Sequence, residues 1–337
     1  MIKENNKLDC GVEVLRIILM VFIVSHHCIV HGIGFSDLQS GEWIGNNTEV
    51  YAFCNAFLVV AVNVFFMISG YFGIKRDAAK AKSLHAECIF YALIGAVFVR
   101  IMGGGGWNVR YIARAVLFPE IFYWFVFVYI IIIFLSPYLS ALVSRLDRCE
   151  YRNFLIVSIL VIVVFDFYYG YSSFGFTKGY SLLNGIFFYL VGAYINKFGL
   201  TSKINRLFAL LLYLVLSMIT GGLASVLAYL GKQEHAWNMF AYSSPFVIFA
   251  SIAFFLTFAG IKKESYYKKI RIFSRRILAV YLFTEYWPMR EIIYYPINCV
   301  NFVPKVIAIF AWSIFLTFTI SFCDNIRQWL FKIAGKR

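Results

Sequence analysis

The stretch LRIILMVFIVSHHCIVHG, Leu15 to Gly32, decides the fold. It is long and apolar enough to cross a bilayer as a helix. Yet it carries Arg16 near one end and His26, His27 and His31 near the other. Ionisable groups are costly in hydrocarbon, so a span that keeps them turns them toward a polar interior or an interface. Arg16 and His27 are 11 residues apart. At about 100° per residue that is three turns plus roughly 20°, so both project from one face, about 16 Å apart along the axis. His31 lies one turn beyond His27, near the same face, whereas His26 points elsewhere.

The rest of the chain extends this reading. Of 337 residues, 61% are hydrophobic and 14% are charged, against roughly half and a quarter in a soluble domain. Apolar runs long enough to span recur throughout, which predicts an all-α, polytopic membrane protein with little soluble mass. Ten spans are expected, at 12–31, 51–73, 86–102, 120–142, 154–168, 181–196, 207–230, 243–260, 277–297 and 305–323. The formal charge of +14 would suit nucleic acid. The basic residues, however, sit in short loops between apolar runs and not on one amphipathic face, which excludes that partner. The start, KENNK before an apolar run, has the outline of a signal peptide. Arg16 interrupts the run and no small-x-small site follows, so it reads as a retained span. The seven cysteines, Cys10, Cys28, Cys54, Cys88, Cys149, Cys299 and Cys323, form no C-x-x-C pair and join no histidine cluster. Neither a metal site nor a disulfide framework is expected from them.

Charge sets the orientation. With the N-terminus in the cytoplasm, 24 of the 31 Lys and Arg residues fall inside. They include Lys75, Arg76, Lys80 and Lys82 in one loop and seven between Lys262 and Arg276. Outside remain Arg100, Arg110, Arg114, Lys178, Lys232, Arg290 and Lys305. Both termini are therefore expected in the cytoplasm. The glycine run at 103–106 reads as a flexible outside turn. The sequon-like triplet at Asn46 is short enough to occur by chance.

Each polar residue in a span has a bland reading beside a functional one. Arg16 alone could snorkel to the interface, and His27 alone could be a hydrogen-bonded packing residue. Together on one face they suit a long anionic substrate lying along the helix, with a cation at one end and a general base at the other. Asn63 and Ser69 fall in the second span; Glu120 opens the fourth and Asp166 ends the fifth, where a wet outer boundary is enough to explain both. Glu285, inside the ninth, needs a partner, either a histidine or an arginine.

An ordered set of stretches resembles acyltransferase family 3, the integral-membrane acyltransferases of sugars and polysaccharides. Arg16 to His27 resembles its R-x10-H signature. VFFMISGYFGIKR (64–76), YWFVFVYIIIIFLSPYL (123–139), FFYLVGAYI (187–195) and SRRILAVYLFTEYWPMR (274–290) resemble its later spans, in order. The likeness covers essentially the whole chain. One departure stands out. The penultimate span of the family commonly reads Tyr-Leu-Ile-His, and VYLFTE here puts Thr284 at the histidine's place with Glu285 beside it. That histidine's role does not carry over, and His26 or His31 is left to compensate.

The resemblance implies transfer of an acyl group, usually acetyl, from cytoplasmic acyl-coenzyme A to a sugar hydroxyl. The acceptor would be a surface polysaccharide or a lipid-linked glycan, at a bacterial inner membrane. It implies acyl-CoA as donor substrate with no permanently bound cofactor and no metal. The residues fit. Arg16, Lys75 and Arg76 would hold the coenzyme's phosphates, and His27 would act as general base or as an acylated nucleophile. Glu285 would orient the imidazole, with His26, His31, Asn63 and Ser69 as candidates for positioning substrate or stabilising the oxyanion. A transporter or flippase of a glycan or lipid-linked precursor is the competing class, though no paired inverted halves are visible. Residues 1–325 are read as the transmembrane acyltransferase domain, and 326–337 as a short basic cytoplasmic tail forming an interfacial helix. Oligomeric state is left open.

Overall fold

The computed structural model of the chain describes residues 9–42, 46–103, 109–118, 123–169 and 177–334. Glu120 lies outside them, as do Lys3, Lys7, Lys336 and Arg337. Among the described residues every regular element is helical. Seven helical segments among the described residues are long and apolar enough to cross a membrane.

The first is α1 (Cys10–His27), which runs on through a π turn, Cys28–Gly32. Asp9 caps it, accepting from the amide of Val12 at 3.1 Å, as the unpaired first N–H groups of a helix require. The second is offset by a turn at Val59 and Val60 into α2 (Thr48–Leu58) and α3 (Ala61–Phe72). Then come α4 (Ala78–Ile101), the short amphipathic α5 (Val109–Leu117), α6 (Trp124–Arg145) and α7 (Arg148–Val161). The last of these continues as a second π turn, Ile162–Tyr168. After α8 (Leu182–Lys197) and α9 (Arg206–Tyr229) follow the short α10 (Gln233–Asn238), α11 (Pro245–Phe258) and α12 (Glu264–Ser274). The chain closes with α13 (Leu278–Thr284), α14 (Trp287–Tyr294) and the long α15 (Phe302–Ala334).

The layering follows burial. In α1 and in α2–α3, 56% and 67% of the apolar window is buried inside the protein, against 22–33% in the other five long segments. The first two segments therefore form the centre, and the others ring it with lipid-facing side chains such as Leu207, Phe208, Val215 and Phe322. Helices in lipid gain little from burying apolar surface, so they associate by close backbone approach at small residues. α3 and α8 do so reciprocally. A Cβ at Gly70 would overlap the carbonyl of Tyr189, and one at Gly192 would overlap that of Met67.

Three expectations are corrected. The third span starts well before residue 86, because Asp77 caps the alanine-rich AAKAK and accepts from the amides of Ala79 and Lys80 at 2.9 and 3.1 Å. The ninth is not one helix. It ends at Thr284 and restarts at Trp287, since Pro288 has no N–H to continue the ladder and tolerates only a first helical turn. The tail is not a separate interfacial helix. α15 is continuous past 325, and Arg327 is buried, its Nη2 3.0 Å from Oε1 of Glu87 in α4.

Candidate active site

The central helix supplies the first wall. Arg16 and His27 both lie within the uninterrupted α-helical part of α1, so the axial separation of about 16 Å holds. Beyond His27 the hydrogen bonding widens, with the amide of Ile33 bonding the carbonyl of Cys28 at 3.0 Å. Such π turns inside helices recur at functional sites. The ring of His31 lies 5.5 Å from that of His27, and His26 lies 5.3 Å away on the other side. His26 is buried, with its Nδ1 2.5 Å from Oδ1 of Asn55 on α2.

The break in the ninth span supplies the second wall. Glu285 caps the end of α13, and its carboxylate is buried. Its Oε1 lies 2.5 Å from Nδ1 of His27, an ion-pair contact without the alignment of a linear hydrogen bond. Its Oε2 accepts from Arg290 Nη2 at 2.7 Å. The Tyr294 hydroxyl stands 3.5 Å from Oε1. One carboxylate thus holds two cationic-type groups from different helices, an arrangement that makes a charge tolerable in a low-dielectric interior. On a straight helix, positions five apart point about 140° apart. Only the break at Pro288 brings Arg290 back onto Glu285.

These groups line a cavity of about 840 Å³ whose wall runs from one end of the bundle to the other. Where α1 and α4 begin, it carries Arg16, Lys80 and Arg275, with Glu87 matched by Arg327. Lys80 Nζ donates to the Tyr129 hydroxyl at 3.1 Å. The Arg16 guanidinium lies 5.9 Å from the centre of the Phe72 ring, and its Nε is buried without a partner among the described residues. Where α1 ends, the wall carries His27, His31, Glu285, Arg290, Lys178 and several aromatic rings.

The expected residues divide. Arg16, His26, His27, His31, Ser69 and Glu285 share the cavity. Ser69 donates its hydroxyl to the carbonyl of Phe65 at 3.0 Å. Asn63 stands off the cavity, donating to the Tyr242 carbonyl at 3.1 Å and accepting from Asn184 at 3.1 Å, which ties α3 to its neighbours. Lys75 and Arg76 are exposed in the turn before α4 and do not form the wall. Thr284 is buried, donates to the carbonyl of Val280 at 2.9 Å and also stands off the cavity. Thr284 therefore contributes nothing to the wall. Sequence reasoning counted Lys80, Arg275 and Arg290 only in the charge tally and did not single out Glu87.

His27, His31 and Glu285 place ligand-type atoms within 4.8 Å of one another. As a metal set they fit poorly. Both carboxylate oxygens already face cationic-type groups of the chain, and the 2.5 Å contact is shorter than the roughly 3.3 Å between two ligands on one tetrahedral zinc. What the arrangement offers instead is an imidazole held against a carboxylate at one station and a cluster of cations at the other.

No curated protein and no solved structure matches the chain. The acyltransferase domain of acyltransferase family 3 matches residues 10–323, nearly its whole length. The chain belongs to acyltransferase family 3, and it is a multi-pass membrane acyltransferase.

Proposed function

We propose that this acyltransferase moves an acetyl group from cytoplasmic acetyl-coenzyme A to a hydroxyl of an extracytoplasmic or lipid-linked glycan, at the inner membrane of a bacterium. The observation that carries the reading is one cavity with Arg16, Lys80 and Arg275 at one end and His27 on Glu285 three helical turns away. The excess of Lys and Arg in the loops at that end puts the cationic end at the cytoplasm. Coenzyme A is polyanionic at its nucleotide end and carries the thioester on a long thin arm. Guanidinium and ammonium groups bind phosphate through charge-assisted hydrogen bonds. The arm then lies along α1, and the thioester arrives at the imidazole.

A sugar hydroxyl is a weak nucleophile at neutral pH. With Nδ1 against Glu285, the other ring nitrogen of His27 takes the hydroxyl proton as the oxygen attacks the thioester carbon. The tetrahedral intermediate collapses with loss of the C–S bond, and the imidazolium returns the proton to the leaving thiolate. Glu285 fixes the ring and stabilises its cation, as the carboxylate of a catalytic triad does. His31, one turn on, is the nearest donor for the oxyanion. Lys75 and Arg76 add long-range attraction for the donor at the mouth.

The test compares acetyl groups on the surface glycan with and without the protein, then with His27→Ala. Loss of a positioned base lowers transfer by about 10²–10⁴-fold, with normal amounts of protein in the membrane. Retained transfer refutes the base. A labelled acyl-protein caught by rapid quench would replace direct transfer with an acyl-histidine path.

A further inference from the structure

The chamber beyond His27 holds groups that the transfer chemistry does not use. Trp124, Tyr180 and Tyr242 all stand on its wall. Their ring centres are 5.0 Å apart for Trp124 and Tyr180, 4.7 Å for Tyr180 and Tyr242, and 6.1 Å for Trp124 and Tyr242. Tyr242 is buried behind the other two, while Tyr180 is open to the cavity. Such a panel presents flat apolar surface with polar rims, which matches the C–H face and hydroxyl edge of a pyranose ring.

Two residues before Tyr180 lies Lys178, also on the wall. Its backbone is left-handed, with φ of 56°, a conformation that a non-glycine residue keeps only when its surroundings impose it. Here three hydrogen bonds impose it. Asp166 accepts from the amide of Lys178 at 2.5 Å through Oδ1 and from that of Gly179 at 2.7 Å through Oδ2. The carbonyl of Lys178 accepts from the amide of Tyr242 at 3.1 Å. Asp166 is buried and comes from the second π turn. A buried carboxylate, an irregular helix end and a strained peptide are thus combined to seat one lysine beside an aromatic panel.

Charge completes the picture. Of the carboxylates on the cavity wall, Glu285 is matched by His27 and Arg290, and Glu87 by Arg327. The Asp166 charge acts on Lys178 at longer range, but both its oxygens are engaged by backbone amides. Among the described residues no carboxylate forms an ion pair with the Lys178 ammonium. A neutral sugar would give the half-buried ammonium no direct ionic partner, whereas an acidic one would.

We infer that the acceptor is an acidic sugar, stacked on Trp124 and Tyr180 with its ring carboxylate on Lys178. The inference rests on the glycan-acceptor reading above and adds the acceptor's class. A single ammonium next to a stacking ring matches one carboxylate on that same sugar. A phosphate would be better met by several cations, and Arg290 is already shared with Glu285.

The test uses the full chain in nanodiscs with acetyl-CoA and three trisaccharides that differ only at C6 of the terminal ring: glucuronic acid, glucose and glucose 6-phosphate. Both kcat/KM and calorimetric binding are read. A charge-assisted hydrogen bond predicts preference for the glucuronic acid probe over the glucose probe by about ten- to a hundredfold. Lys178→Met should bring that ratio to near one, and Lys178→Arg should restore it. Equal use of the acidic and neutral probes by the wild type overturns the inference, as does a ratio unmoved in Lys178→Met or a lead for the phosphate probe. Transfer without preference sinks this inference and leaves the acyltransferase reading standing. Lys178-dependent binding of the acidic probe without transfer supports the site and sinks the glycan-acceptor reading.

Discussion

Two buried ionic clusters sit in this membrane domain, and they differ in what they leave unfinished. In one, Glu285 holds His27 and Arg290. In the other, Arg327 holds Glu87 and Asp324, with Tyr91 donating to Asp324 at 2.5 Å and Gln328 at 2.8 Å. Both place opposite charges in a medium that penalises isolated ones. The second is closed: each of its polar side chains is partnered within the cluster. The first is open, and both touch the cavity, through Glu285 and Glu87. Arg290 Nε is buried without a partner among the described residues. His27 keeps one ring nitrogen clear of Glu285. The difference between the clusters is hydrogen-bonding capacity left over in one and used up in the other.

That contrast can be broken by substitution. Glu285→Gln keeps the volume but removes the charge that holds the imidazole. Turnover should fall by on the order of 10²–10⁴-fold, with the detergent-solubilised protein folded and still binding donor. Full activity in Glu285→Gln would make the open cluster merely structural. Arg327→Met should act the opposite way, because it strands two carboxylates. A loss of about 3–5 kcal/mol is expected, read as a lower unfolding temperature and lower yield, with turnover per folded molecule far less affected. Adding Glu87→Gln and Asp324→Asn should recover that stability, since a wholly neutral cluster has no stranded charge. The smallest effect should come from Arg16→Ala. Losing one charge-assisted contact to phosphate raises the donor KM by roughly ten- to a hundredfold, and unchanged donor dependence would remove Arg16 from the cationic end.

Much of this was legible in the sequence, for physical reasons that also set its limits. A helical period fixes which residues share a face, so Arg16, His27 and His31 could be placed together from their spacing alone. Apolar length finds the spans. What one helix's period does not give is contact across a break: Glu285 meets Arg290 only because Pro288 interrupts the helix between them. Nor does it separate two kinds of buried polarity. Asn63 and Glu285 look alike in a hydrophobic run, but Asn63 is held within the helix packing while Glu285 lines the cavity. Arg327 read as part of a basic tail because the Glu87 that holds it lies more than two hundred residues earlier in the chain.

The reciprocal glycines, Gly70 and Gly192, have a mechanical consequence. With backbone on backbone, α3 and α8 have no slack to slide or part, so that side of the chamber behaves as a fixed jaw.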